Sequence, residues 1–226
     1  MPLVQTLTYT LTAPDADGVC ASQTTGGAGN LLLNGALVDA VSGTFKVTDK
    51  CPKLISATSA GNLSGVTITM SYRATRDGDI LTQSRTGPNA NTVLFAQYVY
   101  ELINLAVDGA VGTAITVGTS DAAISHFVMN QAYSSKRAVS VEISSGTVTV
   151  SLQHTLSDVL NLYNTNTFTE ATAAWIDNDA VVPLVGLTSG QTVALYECYV
   201  SAFRLKVTAY SGTPTVILRI NEANNV

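Results

Sequence analysis

The spacing of apolar residues constrains this chain more than any other feature. From Val4 to Leu11 (VQTLTYTL) they alternate with Gln and Thr, and the same period of two returns in VTITMSY (Val66–Tyr72) and VTVSL (Val148–Leu152). A strand points successive side chains to opposite faces, so this pattern offers one face to bury and one to leave wet; a helix cannot satisfy it. Between the runs lie turn formers: PDADG (Pro14–Gly18), Asn34-Gly35, Asp77-Gly78, GPNAN (Gly87–Asn91), Ser144-Ser145-Gly146 and AYSGTP (Ala209–Pro214). Gly supplies backbone conformations closed to other residues, while Asp and Asn bond their own backbone two residues on.

Read together, these signals predict strands joined by tight reversals. Asn34-Gly35 fits a type I′ hairpin turn, and Asp77-Gly78 turns Val66–Tyr72 back on Asp79–Arg85. Ser144-Ser145-Gly146 turns Ala138–Ile143 onto Thr147–Leu152, and AYSGTP turns Phe203–Thr208 onto Thr215–Ile220. Gly43–Val47, Leu54–Thr58 and Thr113–Val117 read as further strands, while Thr92–Leu105 fits no single type. Thr155–Thr192 has neither clean alternation nor sustained helical period, and reads as a long irregular excursion with one short helix at Leu156–Tyr163 capped by Ser157. Short strands with turn signals between them point to an all-β protein of two β-sandwich units. The rhythm restarts after Asp121, which places one unit at 1–120 and the other at 121–226, with 155–192 inserted in the second.

Charge excludes several functions. Only 12% of the 226 residues are charged, and the formal net charge is −5. Basic residues occur singly or in pairs such as Lys136-Arg137, so no stripe exists to displace counterions from a nucleic-acid backbone. No apolar window reaches the roughly 18 residues of a spanning helix, and MPLVQTLTYTL lacks the basic start and apolar centre of a signal peptide. Neither nucleic acid nor membrane is expected as a partner, and the product is expected to be made in a cytoplasm. Cys20, Cys51 and Cys198 read as reduced thiols, with a Cys20–Cys51 bridge as the alternative in a released particle.

Chemistry-bearing residues are few. His126 and His154 are the only imidazoles, and no G-x-S-x-G elbow accompanies them, so no catalytic residue is assigned. Asp15-Ala16-Asp17, Asp77-Gly78-Asp79 and Asp177-Asn178-Asp179 sit where turns are expected and do not continue into a calcium loop, so no metal site is assigned. GGAGNLLL (Gly26–Leu33) lacks the lysine and the helix of a phosphate loop, and no cofactor is expected. Glu101, Glu142, Glu170 and Glu197 are candidates for a glycosidase pair by type alone. Trp175, with Tyr163 and Phe168 nearby in sequence, reads either as a sugar-stacking platform or as a plug that holds the excursion down; large aromatics more often do the latter.

In order along the chain, ASQTTGGAGNLLLNGALV (Ala21–Val38), ISATSAGNLSGVTITMS (Ile55–Ser71), TGPNANTV (Thr86–Val93), AVGTAITVGTSD (Ala110–Asp121), VSVEISSGTVTVSLQHTLSDVL (Val139–Leu160) and SAFRLKVTAYSGTPTVILRI (Ser201–Ile220) cover well over half of it. This ordered set resembles the small Ig-like β-sandwich structural proteins of tailed-bacteriophage virions. The excursion around TEATAAWIDNDAVVPLVG departs from that pattern by its length. The resemblance implies Ig-like or jelly-roll-like sandwiches and a particle component without catalytic residues, assembled in the host cytoplasm. It also implies a homo-oligomer whose other partners are the major capsid protein or neck and tail subunits. A decoration (cement) protein on the capsid is the leading expectation. A neck or tail accessory and a carbohydrate-binding module are the alternatives. Residues expected at contacts between subunits are Pro2, Leu3 and Tyr9 of the N-terminal arm and Trp175, Val181, Val182 and Leu184 of the excursion.

Overall fold

The computed structural model describes residues 3–129, 137–164, 172–178, 184–196 and 200–222. The protein is all-β, with antiparallel strand pairs throughout and one short helix. It divides into two compact units: unit 1 comprises Met1–Ala13, Asp49–Cys51 and Ile124–Val226, and unit 2 comprises Pro14–Thr48 and Pro52–Ala123. The reading of 1–120 as one unit therefore differs from the structure at its beginning, where the first strand belongs to unit 1. Alternation alone says that VQTLTYTL is a strand; it does not say which distant strand will pair with it.

Unit 1 is organised by two very long strands. In chain order its elements are β1 (Leu3–Thr10), β11 (Val128–Met129), β12 (Arg137–Thr155), α1 (Val159–Asn164), β13 (Ile176–Asp177), β14 (Gly190–Tyr196) and β15 (Ala202–Glu222). The strands β12 and β15 pair along their whole length, from Arg137 opposite Glu222 to Thr155 opposite Ala202. At one end of this ribbon β14 and β1 add on either side, giving the order β14-β12-β15-β1; at the other end β13 and β11 do the same. The arm and the Asp49–Cys51 segment are tied in by hydrogen bonds. Leu11 N–H donates to Pro214 O (3.0 Å), Tyr210 Oη donates to Thr12 O (3.0 Å), and Asp49 Oδ2 accepts from both Thr12 N–H and Thr12 Oγ1 (2.8 Å each).

Two of the expected hairpins are absent here. The stretches at Ser144-Ser145-Gly146 and AYSGTP do not reverse the chain but lie opposite one another inside the ribbon. Ser145 faces Thr215 and Thr147 faces Ser211, so one residue on β12 opposes three on β15: a bulge. Gly146 (φ 78°) and Gly212 (φ 64°) occupy the left-handed region, and Pro214 sits at the bulge, where the ladder does not need its missing N–H. Turn and bulge draw on the same residue types, because both require positive φ or a lost donor.

The excursion is more regular than its sequence. Its residues run along the edge of β12: Asn178 N–H bonds Leu152 O (3.0 Å), Leu152 N–H bonds Leu184 O (2.7 Å), and Leu187 and Val150 exchange a pair of bonds (3.0 and 2.8 Å). Its helix begins later than expected, and Asp158 caps it rather than Ser157, taking Asn161 N–H at 3.1 Å.

Unit 2 contains β2 (Cys20–Thr25), β3 (Gly29–Leu31), β4 (Phe45–Lys46), β5 (Lys53–Ser59), β6 (Thr67–Arg73), β7 (Leu81–Thr86), β8 (Thr92–Val99), β9 (Glu101–Val107) and β10 (Val111–Ile124). One sheet runs β2-β10-β5-β8 and the other β3-β9-β6-β7, with β4 also on β9. Both contribute to a single buried cluster, with Ile55, Phe95 and Ile115 from one sheet and Ile68, Met70 and Leu105 from the other. This is a sandwich-like packing, and each such side chain contributes roughly 1.5–3 kcal/mol by leaving water. The expected hairpin at Asp77-Gly78 is present, pairing Thr67 with Thr86 through Tyr72 with Leu81. The expected hairpin at Asn34-Gly35 is not. Gly35 instead lies against the backbone of Gly18, where an added Cβ would sit 2.2 Å from the Gly18 carbonyl carbon. Asn34 Oδ1 accepts Ala21 N–H (2.9 Å), so this pair seams two segments together rather than turning one. The uncertain run Thr92–Leu105 resolves into parts of β8 and β9.

The bulge gives a testable consequence. A Cβ at Gly146 would lie 2.7 Å from Pro214 Cα in a left-handed backbone, whereas one at Gly65 would meet nothing within 4 Å. Gly146→Ala is expected to lower unfolding free energy by about 2 kcal/mol or more, with Gly65→Ala near neutral. Urea denaturation of both variants measures the contrast.

Candidate interaction surface

The residues able to do chemistry are occupied with structure. Glu101 stands opposite Arg73 across β9 and β6 and pairs with it at 3.3 Å, also accepting Thr44 Oγ1 (3.3 Å). Glu142 pairs with Arg219 on the neighbouring strand. These acids lie in different units, each against a guanidinium, while Glu170 and Glu197 fall outside the described residues. Asp15 Oδ1 takes Asp17 N–H (3.3 Å). Asp39 takes the N–H groups of Val41 and Ser42 (3.0 and 2.7 Å), and Asp108 takes that of Thr67 (2.7 Å). Those backbone donors hold Asp39 and Asp108 below the usual carboxylate range. Cys20 and Cys51 are buried and form no disulfide with each other, and burial pushes the Cys20 thiol up.

Trp175 joins a small cluster over α1, near Val159, Leu162, Ala173 and Ala202, with Phe127 tilted against it at 6.3 Å between centroids. The Arg204 guanidinium covers its ring at 4.3 Å from the centroid. Arg204 is buried, and its Nε donates to Gln153 Oε1 (2.8 Å), whose Nε2 in turn donates to Asp177 Oδ1 (2.9 Å). Cation, ring and amide thus pin the excursion to the ribbon. The ring face under Arg204 is not available to a sugar. Of the two readings left open for Trp175, this geometry favours the plug.

The other residues expected at subunit contacts divide differently. Tyr9 and Leu184 are buried within the chain itself, so neither offers surface to a partner. Burial raises the Tyr9 phenol to about 12, against a hydrogen bond with Ser125 that lowers it. Leu3 belongs to β1 opposite Glu222, and Pro2, Val181 and Val182 lie outside the described residues. Alternation had marked Tyr9 as apolar without saying which face of β1 is covered.

The exposed face is the other one. Across the order β14-β12-β15-β1, register places Leu195, Ala138, Asn221 and Val4 in one row and Val193, Ser140, Arg219 and Thr6 in the next. A third row holds Gln191, Glu142, Ile217 and Thr8. Leu195 is 77% exposed, Val4 57% and Val193 47%, and the Glu142–Arg219 pair is the only ion pair among the described side chains of these rows. The reverse face carries Val139, Val141, Ala194, Leu218 and Ile220, all buried. The open face is therefore uncharged in net terms, with Thr6, Thr8, Gln191 and Asn221 as exposed polar groups, Ser140 buried, and aliphatic side chains toward both edges. Val193 and Leu195 were missed in sequence because they fall at the end of the irregular excursion; their alternation with Ala194 and Tyr196 is the signal that marks β14. In unit 2 an open depression lined by Ser64, Ser84, Arg85, Thr86, Asn89, Asn91 and Val93 has no aromatic side chain in its lining.

No family model and no curated protein matches this chain. Among solved structures, one titled "Structure of infectious bursal disease virus Gx strain" is 12% identical, with 99% of this chain and 71% of that chain covered at a TM-score of 0.18. A TM-score that low establishes no shared fold. No helix among the described residues is long and apolar enough to cross a membrane.

Two expectations follow from the site. Trp175 is the single tryptophan, so its emission reports on the pin directly. Arg204→Ala should shift that emission to the red and cost about 2–4 kcal/mol in denaturant titration, because it uncovers the ring and strands Gln153. His126 is held below its usual range by burial first and by the Lys50 charge second. A depressed folded-state pKa favours the neutral ring, so this contribution is complete above the unfolded value near 6.5 and is lost as pH falls below it. Thermal midpoints between pH 8 and pH 5 should fall more steeply for the native chain than for His126→Gln.

Proposed function

We propose that this chain is a non-enzymatic structural component of a bacteriophage particle, acting as a decoration protein bound to the capsid and associating with copies of itself. The observation that carries the reading is the open sheet face of unit 1: a surface with one internally neutralised ion pair, uncharged polar Thr6, Thr8 and Gln191, and exposed Val4, Val193 and Leu195. Surfaces of this composition suit close contact with other proteins, since they lack the like-sign repulsion that keeps monomers apart. The pairing of Glu101 and Glu142 with arginines supports a non-catalytic role, and the resemblance of the ordered stretches to virion structural proteins suggests the particle context.

Purified particles from the source decide the matter. Quantitative mass spectrometry should find this chain at hundreds of copies per particle, and a reconstruction should place it on the shell exterior. About a dozen copies or fewer would move it to the neck or tail, and its absence from particles would overturn the reading.

A further inference from the structure

The self-association in that reading has a definite place in the fold. We propose that β1 is the self-pairing edge: two copies join β1 to β1 antiparallel about a twofold axis, extending β14-β12-β15-β1 into a continuous sheet of twice its width. This inference rests on the proposed assembly role but makes a narrower claim.

Among the described residues β1 pairs with β15 alone, so its second edge presents backbone donors and acceptors over Leu3–Thr10. Proteins ordinarily blunt such an edge with a charge, a proline or a bulge. Leu3–Thr10 has none of these: LVQTLTYT carries no Asp, Glu, Lys, Arg or His, no Pro, and runs in register with β15 without a shift. A twofold axis sets like against like, so a charged strand would repel its own copy while this one does not.

Register narrows the geometry. Val4, Thr6, Thr8 and Thr10 share the exposed face, and Gln5, Leu7 and Tyr9 share the covered one. To keep both faces continuous, residues of like parity must oppose each other; a slip by one would carry Val4 and Thr6 onto the core side. With Thr6 opposite its copy, Val4 meets Thr8 and Gln5 meets Leu7, giving hydroxyl and aliphatic neighbours throughout. The half-buried Leu7 is then covered further. The second open edge, β14, starts at Gly190 in the left-handed region and is followed in sequence by acidic Glu197. A β1-to-β14 contact would be head-to-tail and would give a ring or a filament rather than a two-chain species.

Sedimentation velocity of the full chain across concentration should give a closed species near twice the 23.6 kDa chain mass. Thr6→Lys places two ammonium groups face to face and should weaken association roughly tenfold or more. Because Thr6 is exposed, circular dichroism should stay unchanged, as should the thermal midpoint at concentrations low enough that both chains are monomeric. Val4→Glu with Thr8→Lys puts opposite charges across the same axis and should keep the dimer, now in a salt-sensitive form. A monomer at all concentrations, a dimer indifferent to Thr6→Lys, or masses that grow without limit would each overturn the pairing. These results are read in solution, so they stand whether or not the chain is found in particles; a β1 dimer absent from particles would overturn the particle reading alone.

Discussion

The backbone ladder between β12 and β15 supports every other element of unit 1. The strands β14 and β13 hang from one side of the ribbon, β1 and β11 from the other, and the excursion is stitched along β12. Because ladder bonds come in series, a flaw in this ribbon would remove partners for all four flanking strands at once. The ribbon's register shifts between Ile143 and Ser145, Ser145 and Thr147, and Thr149 and Val150, with the largest shift around Gly146 and Gly212. A bulge bends a strand and increases its twist, which is how two strands of such length can serve two differently flanked sheets. Closing β1 onto β15 encloses a loop roughly four times longer than that between β12 and β15. At about 0.6 kcal/mol per doubling, the extra entropy is only about 1.2 kcal/mol, small beside an eight-residue pairing.

Fold class was legible because a period of two survives any tertiary context. Thr67–Arg73 shows it best, with Ile68, Met70 and Tyr72 buried between Thr67, Thr69 and Ser71. What alternation leaves open is the partner of a strand and the purpose of a glycine. Ser144-Ser145-Gly146 and AYSGTP read as reversals, yet the chain passes straight through both; positive φ is what each requires, and a single residue pair cannot announce which use it serves. Asn34-Gly35 failed for another reason. Its glycine is demanded by contact with Gly18, a neighbour seventeen positions earlier in a different segment. The excursion hid its order because strands that join only by short bridges to an edge need no long alternating run.

The candidate surface was legible only by half. The N-terminal arm was singled out for contact between subunits; within the fold it forms β1, with Tyr9 turned inward while Val4, Thr6 and Thr8 turn out. Trp175 drew attention as the lone tryptophan, and what decides its role, the Arg204 guanidinium on its face, lies far along the sequence. Such a cation–ring contact has no local signature. Its energy also depends on burial: the same pair at an exposed site is worth roughly 0.5–1 kcal/mol, and desolvation with a fixed Gln153 partner raises it toward 2 or more.

The distribution of acids bears on how this protein can recognise anything. Asp15, Asp39, Asp49 and Asp108 bind backbone N–H groups, and Glu101 and Glu142 bind arginines, so much of the negative charge is already engaged locally. A surface of this kind projects little field beyond a Debye length, about 8 Å at physiological salt. Long-range steering toward an oppositely charged partner is then a small effect, and encounter proceeds near the rate of uncharged surfaces. Specificity must come from contacts made at touching distance: backbone ladder bonds, hydroxyl pairs and aliphatic packing. Those contacts are strong only when many form together in one register, which is the condition an extended sheet edge meets and a scattered patch does not.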